Sequence, residues 1–184
     1  MSRDVLHIMD RHEFPALLNY VGLLGTVVEV GVYEGEFAEH FRKLWKGQLY
    51  VMVDPWDHLD DYGDPANADS ATCRRRLQVV RDRFSVFGPD SYKIMQNISQ
   101  YAHSYFEDLS VDMVYIDANH DCDHVCDDIR WWWPKIKTGG ILGGHDYTPG
   151  FGVLPAVNLF ASLTQLKLRY TQEDKNPSWY VFKP

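Results

Sequence analysis

The chain has 184 residues, 45% of them hydrophobic, which suits one domain with a substantial buried core. Eighteen Lys and Arg against 26 Asp and Glu leave a net charge of −8, which disfavours attraction to phosphate backbones and anionic membranes. Nucleic acid and membrane partners are therefore not expected. Met1 to Asp10 also lacks the basic and apolar stretches of an export signal, and no run approaches the roughly 20 apolar residues that span a bilayer.

In chain order, Val5 to Leu24 carries apolar residues at helical spacing, and Thr26 to Val30 is a compact β-branched run that predicts a buried strand. Glu36 to Trp45 places Phe37, Phe41 and Leu44 on one helical face, and Leu49 to Val53 predicts a second strand. The Asp-rich stretch from Asp57 to Ser70, with Gly63 and Pro65, predicts an exposed loop. A helix is expected over Ala71 to Phe84, a third strand over Tyr92 to Met95, a helix around Ala102 to Leu109, and the clearest strand over Val111 to Ile116. Val125, Ile129, Trp132 and Ile136 then recur at helical spacing, with a kink or terminus at Pro134 and a stop at Gly139 and Gly140. Ile141 and Leu142 open a fifth strand, and Lys167 to Tyr170 and Trp179 to Phe182 supply two more.

Strands that alternate with helices imply an α/β fold with a mostly parallel sheet covered on both faces, whose ligands bind outside the carboxyl ends of the strands. No repeat or linker divides the chain, so residues 1–184 are expected to form one domain, with an N-terminal helix in 1–25 and the core in 26–184. Cys73, Cys122 and Cys126 cannot all pair with one another, which fits a reducing, cytoplasmic setting.

The first chemical signal is the segment from Glu29 to Gly35, EVGVYEG, where the first strand turns into a helix. Glycines there permit a tight turn and let backbone N–H groups approach a ligand. A dinucleotide fingerprint needs three glycines, whereas only Gly31 and Gly35 are present behind the acid Glu29, which argues against NAD. A strand-end carboxylate beside such a loop suits a cationic amino-acid moiety. The second signal is Asp54, nineteen residues after Gly35 at the end of the next strand, where an acid suits ribose hydroxyls. Each signal alone is weak, since such an Asp is more often a turn residue; together, in this alternating context, they reinforce one another.

EVGVYEG, VDPW, YIDANH and KTGGILGGHDY resemble the ordered motifs of class I S-adenosylmethionine-dependent methyltransferases. Within that superfamily the chain is most similar to the macrocin-type O-methyltransferases of methyltransferase domain 24, from about Thr26 to the C-terminus. The resemblance implies a Rossmann-like, doubly wound, seven-stranded sheet with an antiparallel last strand and helices on both faces. It also implies S-adenosylmethionine as cofactor, held by Glu29, Gly31, Tyr33, Gly35, Asp54, Trp56, Ser99 and Asp117, and a small hydroxylated molecule as methyl acceptor. The acceptor's identity and the oligomeric state are not fixed, and a homo-oligomer stays open.

Asp117 and His120, directly after the fourth strand, are the catalytic candidates. A hydroxyl that attacks a methyl group must lose its proton, and an imidazole with an ordinary pKa of roughly 6.5 is suited to take it. Metal-dependent members of the similar family bind magnesium through an acid after strand four and an acidic pair after strand five. Those positions read Asp117, His145 and Asp146 here; the imidazole of His145 is a poorer partner for Mg²⁺ than a carboxylate, which leaves open Mg²⁺, Mn²⁺ or another transition ion, or the same geometry without a metal. Taken singly, Asp117 reads as a helix cap and His145 as a satisfied strand-end histidine; what favours function is that these loops meet at one sheet edge. His120 and His124 have the spacing of a helical zinc site, but Asp121 stands where that motif needs Glu. Trp131 to Trp133 are expected to pack, and the Asp57 to Ser70 loop to serve as a lid if it gates the acceptor. Two other readings are a noncatalytic nucleotide-binding module and an NAD enzyme.

Overall fold

The β-branched run at Thr26–Val30 becomes strand β1, the centre of a seven-stranded sheet ordered β3-β2-β1-β4-β5-β7-β6. The other strands are β2 (Leu49–Asp54), β3 (Tyr92–Gln96), β4 (Val111–Ile116), β5 (Ile136–Gly144), β6 (Arg169–Tyr170) and β7 (Trp179–Phe182). The first five pair in parallel, and β7 runs antiparallel between β5 and β6. This computed structural model describes residues 7–60, 62–64, 66–172 and 175–184.

The central strands are apolar on both faces because helices cover both. On one side, α1 (Phe14–Val21), α2 (Glu36–Leu44) and α3 (Ser70–Phe84) bring Leu18, Phe41 and Val80 against Val27, Met52 and Met113. On the other, α4 (Ser99–Ala102), α5 (Cys122–Trp132) and α6 (Val153–Thr164) bring Ala102, Trp132 and Val157 against Val28, Val51 and Val114. Successive residues of β1 and β2 thus serve opposite cores, as a period of two requires. Among the described residues no helix is long and apolar enough to cross a membrane.

Several elements differ from the sequence reading. Within the stretch read as a helix from Val5 to Leu24, a 3₁₀ turn at Arg11–Glu13 precedes α1, whose first turn holds Pro15; residues 1–6 lie outside the described residues. The helix expected over Ala102 to Leu109 starts earlier, as α4, and ends in a 3₁₀ turn at His103–Tyr105. Gly139 and Gly140 do not stop a helix: they lie inside β5, which already begins at Ile136. Val111 pairs with Ile136 but Met113 with Ile141, so β5 bulges across the two glycines, and Gly139 takes a φ of +78° that favours glycine. The sixth strand is only Arg169–Tyr170, and α6 is an element the periodicity does not predict, because its exposed face carries Leu159 and Leu163. The three tryptophans point three ways: Trp132 is fully buried, Trp131 stacks on His103 and Trp133 meets Phe160 edge-on.

Asp128 in α5 is 4% exposed and accepts a hydrogen bond from the Ser99 hydroxyl, which in turn accepts from the Trp132 indole. Burial pushes the Asp128 carboxyl up to about 6, against that hydrogen bond and the charge of His124. An acid whose folded pKa is raised stays protonated in the fold while the unfolded chain ionises, so stability falls as pH rises from about 4 to 6. Asp128→Asn is expected to raise the unfolding free energy at pH 7.5 by up to about 3 kcal/mol. Denaturant unfolding should show the gain disappearing near pH 4.

Candidate active site

The strand order reverses direction between β1 and β4, and parallel sheets open a crevice at such a point. Here the backbone closes tightly below it: Asp117 N–H donates to the Val30 carbonyl at 2.7 Å and Gly31 N–H to the Val53 carbonyl at 2.9 Å. Gly31 has a φ of +85°, and a Cβ on it would overlap the Asp117 carbonyl. The turn continues through Tyr33 at φ +56° to Gly35, which caps α2 at φ +75°. Tyr33, Trp56 and Asp146, three non-glycine residues with positive φ, all border this crevice, a concentration of backbone strain typical of functional sites.

The crevice is a cleft of about 890 Å³, within the size range of small-molecule sites. The loops after β1, β2, β3 and β4 all line it, and Arg11 and Asp146 join them. Asp54 binds the first two loops together, accepting from the N–H groups of Val32 at 2.9 Å, Tyr33 at 3.1 Å and Trp56 at 2.7 Å. Burial raises its pKa, partly offset by those three bonds. Trp56 donates its indole N–H to the Tyr33 carbonyl at 2.9 Å. Glu29 is 2% exposed and accepts from the Tyr50 hydroxyl at 2.8 Å; burial holds its pKa well above the ordinary value, with Asp117 adding to the rise. The Ser99 hydroxyl is engaged by Asp128 and Trp132. All eight residues expected to hold the cofactor are therefore on or beside the cleft; Gly35 alone lies one step back, at the start of α2.

At the β4 and β5 end of the cleft, Asp117, His120 and Asp146 each offer a ligand atom within 4.8 Å of the others. His145 stands alongside, its Nδ1 3.2 Å from Asp146 and 3.7 Å from Asp117. The three residues expected as a metal set, Asp117, His145 and Asp146, are thus side by side, and His120 joins Asp117 and Asp146 in the same cluster. His120 lies between two carboxylates, Nε2 2.8 Å from Asp146 and Nδ1 2.9 Å from Asp64. An imidazole donates to both only when both nitrogens carry hydrogen. The bond to Asp146 is the main reason its pKa rises to about 9, with burial opposing and Asp64 adding. Burial works against the Asp146 charge, but hydrogen bonds from His120 and His145 bring its pKa well below the usual carboxylate range. Asp117 is pushed up by burial and by Asp146, and held back by His145, Arg11 and His120.

Asp64 belongs to the loop between β2 and α3, so the acidic stretch does reach over the cleft. Tyr62 donates its hydroxyl to the Ala118 carbonyl at 3.0 Å, and Asn67 knits the loop by bonding Leu59 in both directions. Asp61 and Pro65 lie outside the described residues. Asp64 and Arg11 were not picked out as site residues: one was counted only as loop charge, and the other is a single cation far from any motif. Cys122 and Cys126 are free, and His124 makes only a 3.9 Å approach to Asp121.

The seven-stranded sheet of this order, with a glycine turn after β1, an acid closing β2 and an Asp–His cluster after β4, is Rossmann-like, with its cleft at the strand ends. Residues 28–147 match the family model described as a methyltransferase domain, and the chain belongs to that family, among the class I S-adenosylmethionine-dependent methyltransferases. Solved structures share the fold. The O-methyltransferase NovP is 12% identical with a TM-score of 0.69, over 92% of this chain and 76% of its own. An O-methyltransferase from Bacillus cereus in complex with SAH is 13% identical, TM-score 0.58, over 96% and 83%. An rRNA methylase from Streptococcus thermophilus is 14% identical, TM-score 0.63, over 94% and 93%. Comparison with curated proteins gave no match.

The Gly31 contact gives a graded test. Gly31→Ala is expected to cost about 3 kcal/mol or more of stability, because the new methyl meets backbone that cannot yield. Gly35→Ala, whose Cβ would lie 3.2 Å from a Val80 methyl, should cost about 1–2 kcal/mol for its left-handed backbone. Equal costs in denaturant unfolding would refute the close approach as the discriminating feature.

Proposed function

We propose that the protein moves the methyl group of S-adenosylmethionine to a hydroxyl of a small molecule. The observation that carries this is one continuous cleft joining the loops after β1 and β2 to the Asp117–His120–Asp146 cluster. In-line transfer needs donor and acceptor side by side, with the acceptor oxygen facing the methyl carbon. The C–S bond breaks as the O–C bond forms, leaving S-adenosylhomocysteine, the methyl ether and one proton. The loops around Gly31 and Asp54 hold the donor on this reading, and His120 takes the acceptor proton. The lid bearing Tyr62 and Asp64 excludes water and bounds the acceptor space. A small acceptor accords better with a net charge of −8 than a polyanionic one does.

The donor atoms also fit a divalent ion. Two carboxylates with a neighbouring imidazole suit Mn²⁺ better than Mg²⁺, which prefers oxygen throughout; Asp117, His145 and Asp146 would hold it, with His120 left to the acceptor proton. Such an ion, when bound, lowers the pKa of a coordinated hydroxyl and fixes its orientation.

Calorimetric titration with S-adenosylhomocysteine is expected to show binding in the absence of any heat from NAD, and its failure would sink the donor reading. His120→Ala should lower kcat with an accepted hydroxyl substrate by about 10²–10⁴-fold while leaving S-adenosylhomocysteine affinity within a few-fold.

The pH profile gives a separate check. Only neutral His120 can accept a proton, and with its pKa near 9 the neutral fraction rises about tenfold per pH unit below that value. In chelator-treated buffer, turnover should therefore climb from pH 6 to about 9. A plateau from pH 7 would rule out His120 in this setting as the base.

A further inference from the structure

Among the described residues two arginines and no lysine line the cleft. Arg76 sits at the outer rim, its guanidinium 4.2 Å from the Tyr33 ring centre and hydrogen-bonded to the Ala66 carbonyl of the lid. Arg11 is different: it comes from the 3₁₀ turn before α1 and reaches the floor, where β1 and β4 end. Its Nη1 lies 3.4 Å from Asp117 Oδ2, and its guanidinium is 5.1 Å from the centre of the Phe37 ring. The turn that carries it is fixed locally, since Asp10 accepts from His12 N–H at 2.7 Å and Glu13 accepts from Met9 N–H at 2.9 Å.

Around Arg11 lie Asp117, the Tyr115 hydroxyl and Glu29, the last buried and held toward its neutral form, so Asp117 is the acid that faces the floor. A ligand that ends in an amino acid presents an ammonium and a carboxylate on one carbon. Asp117 without a cation beside it would attract the ammonium and repel the carboxylate, so a floor of that kind would favour a ligand lacking the carboxylate. A guanidinium set beside that acid reverses the preference, because its planar fork of N–H donors matches a carboxylate.

We propose that Arg11 anchors the carboxylate of the methyl donor, and that Arg11 with Asp117 reads the donor's amino-acid end as a zwitterion. This rests on the cleft being the donor site. It makes Arg11 a specificity residue that excludes decarboxylated sulfonium nucleosides, although it stands outside every motif of the chain.

The test compares S-adenosylhomocysteine with its decarboxylated counterpart, S-adenosyl-3-thiopropylamine, by calorimetry. Wild-type protein is expected to bind S-adenosylhomocysteine at least about tenfold more tightly. Arg11→Gln should lose about tenfold or more of that affinity while its affinity for the amine falls less than about threefold, erasing the preference; Arg11→Lys should keep part of it. Wild-type binding of both ligands with equal strength, or of the amine more tightly, overturns the proposal without touching the donor reading. Equal weakening of both ligands by Arg11→Gln assigns the residue a structural role and overturns it too. If Arg11→Gln does not fold, as judged by its thermal transition, the wild-type ratio and Arg11→Lys decide. Failure of wild-type protein to bind S-adenosylhomocysteine overturns the donor reading and this proposal together.

Discussion

The close approach of Gly31 to the Asp117 carbonyl sets the geometry on which the site depends. Parallel pairing of β1 with β4 ends with Asp117 N–H on the Val30 carbonyl, and from there the two chains must diverge around the cleft. Because residue 31 has no side chain, the β1–α2 turn leaves its strand directly over the β4 end. The loops after β1 and β2 and the Asp–His cluster are thereby parts of one cavity. A bulkier residue would push the turn outward and separate them.

The same edge concentrates charge that a folded protein ordinarily avoids burying. Glu29, Asp54 and Asp117 are all pushed toward their neutral forms by burial, and each is stabilised by a different device. Glu29 has the Tyr50 hydroxyl, Asp54 has three backbone N–H groups, and Asp117 has Arg11 and His145 nearby. Asp146 moves the other way, since two imidazoles face it. Neighbouring carboxylates with pKa values driven apart are a signature of sites that handle protons or bind ions.

The loop over the cleft links these halves and adds one side chain, Trp56 near its start, to the core on the α1–α3 side. Its own bonds run through Asn67, and its contacts to Ala118 and His120 are made by two side chains, Tyr62 and Asp64. Arg76 of α3 adds a bond to the Ala66 carbonyl, so the described part of the loop is tied both to α3 and to the strand ends beside it.

The sequence by itself determined the alternation of β-branched runs with amphipathic helices, and hence the parallel sheet with both faces covered. It also marked Gly31, Asp54, Asp117 and His120, because local signals sit at strand ends and ligands gather there. Three things were decided only by the tertiary structure. Gly139 and Gly140 read as a helix stop because glycine breaks local patterns, and only pairing with β4 shows a bulge within β5. Asp146 turns at a φ of +56° and meets both His120, at 2.8 Å, and His145, at 3.2 Å, a convergence that no periodicity encodes. Arg11 and Asp64 reach the site from distant loops, each a single charged residue without a motif. Their positions follow from how a 3₁₀ turn and a lid pack against the sheet edge, which depends on long-range contacts that local sequence does not carry.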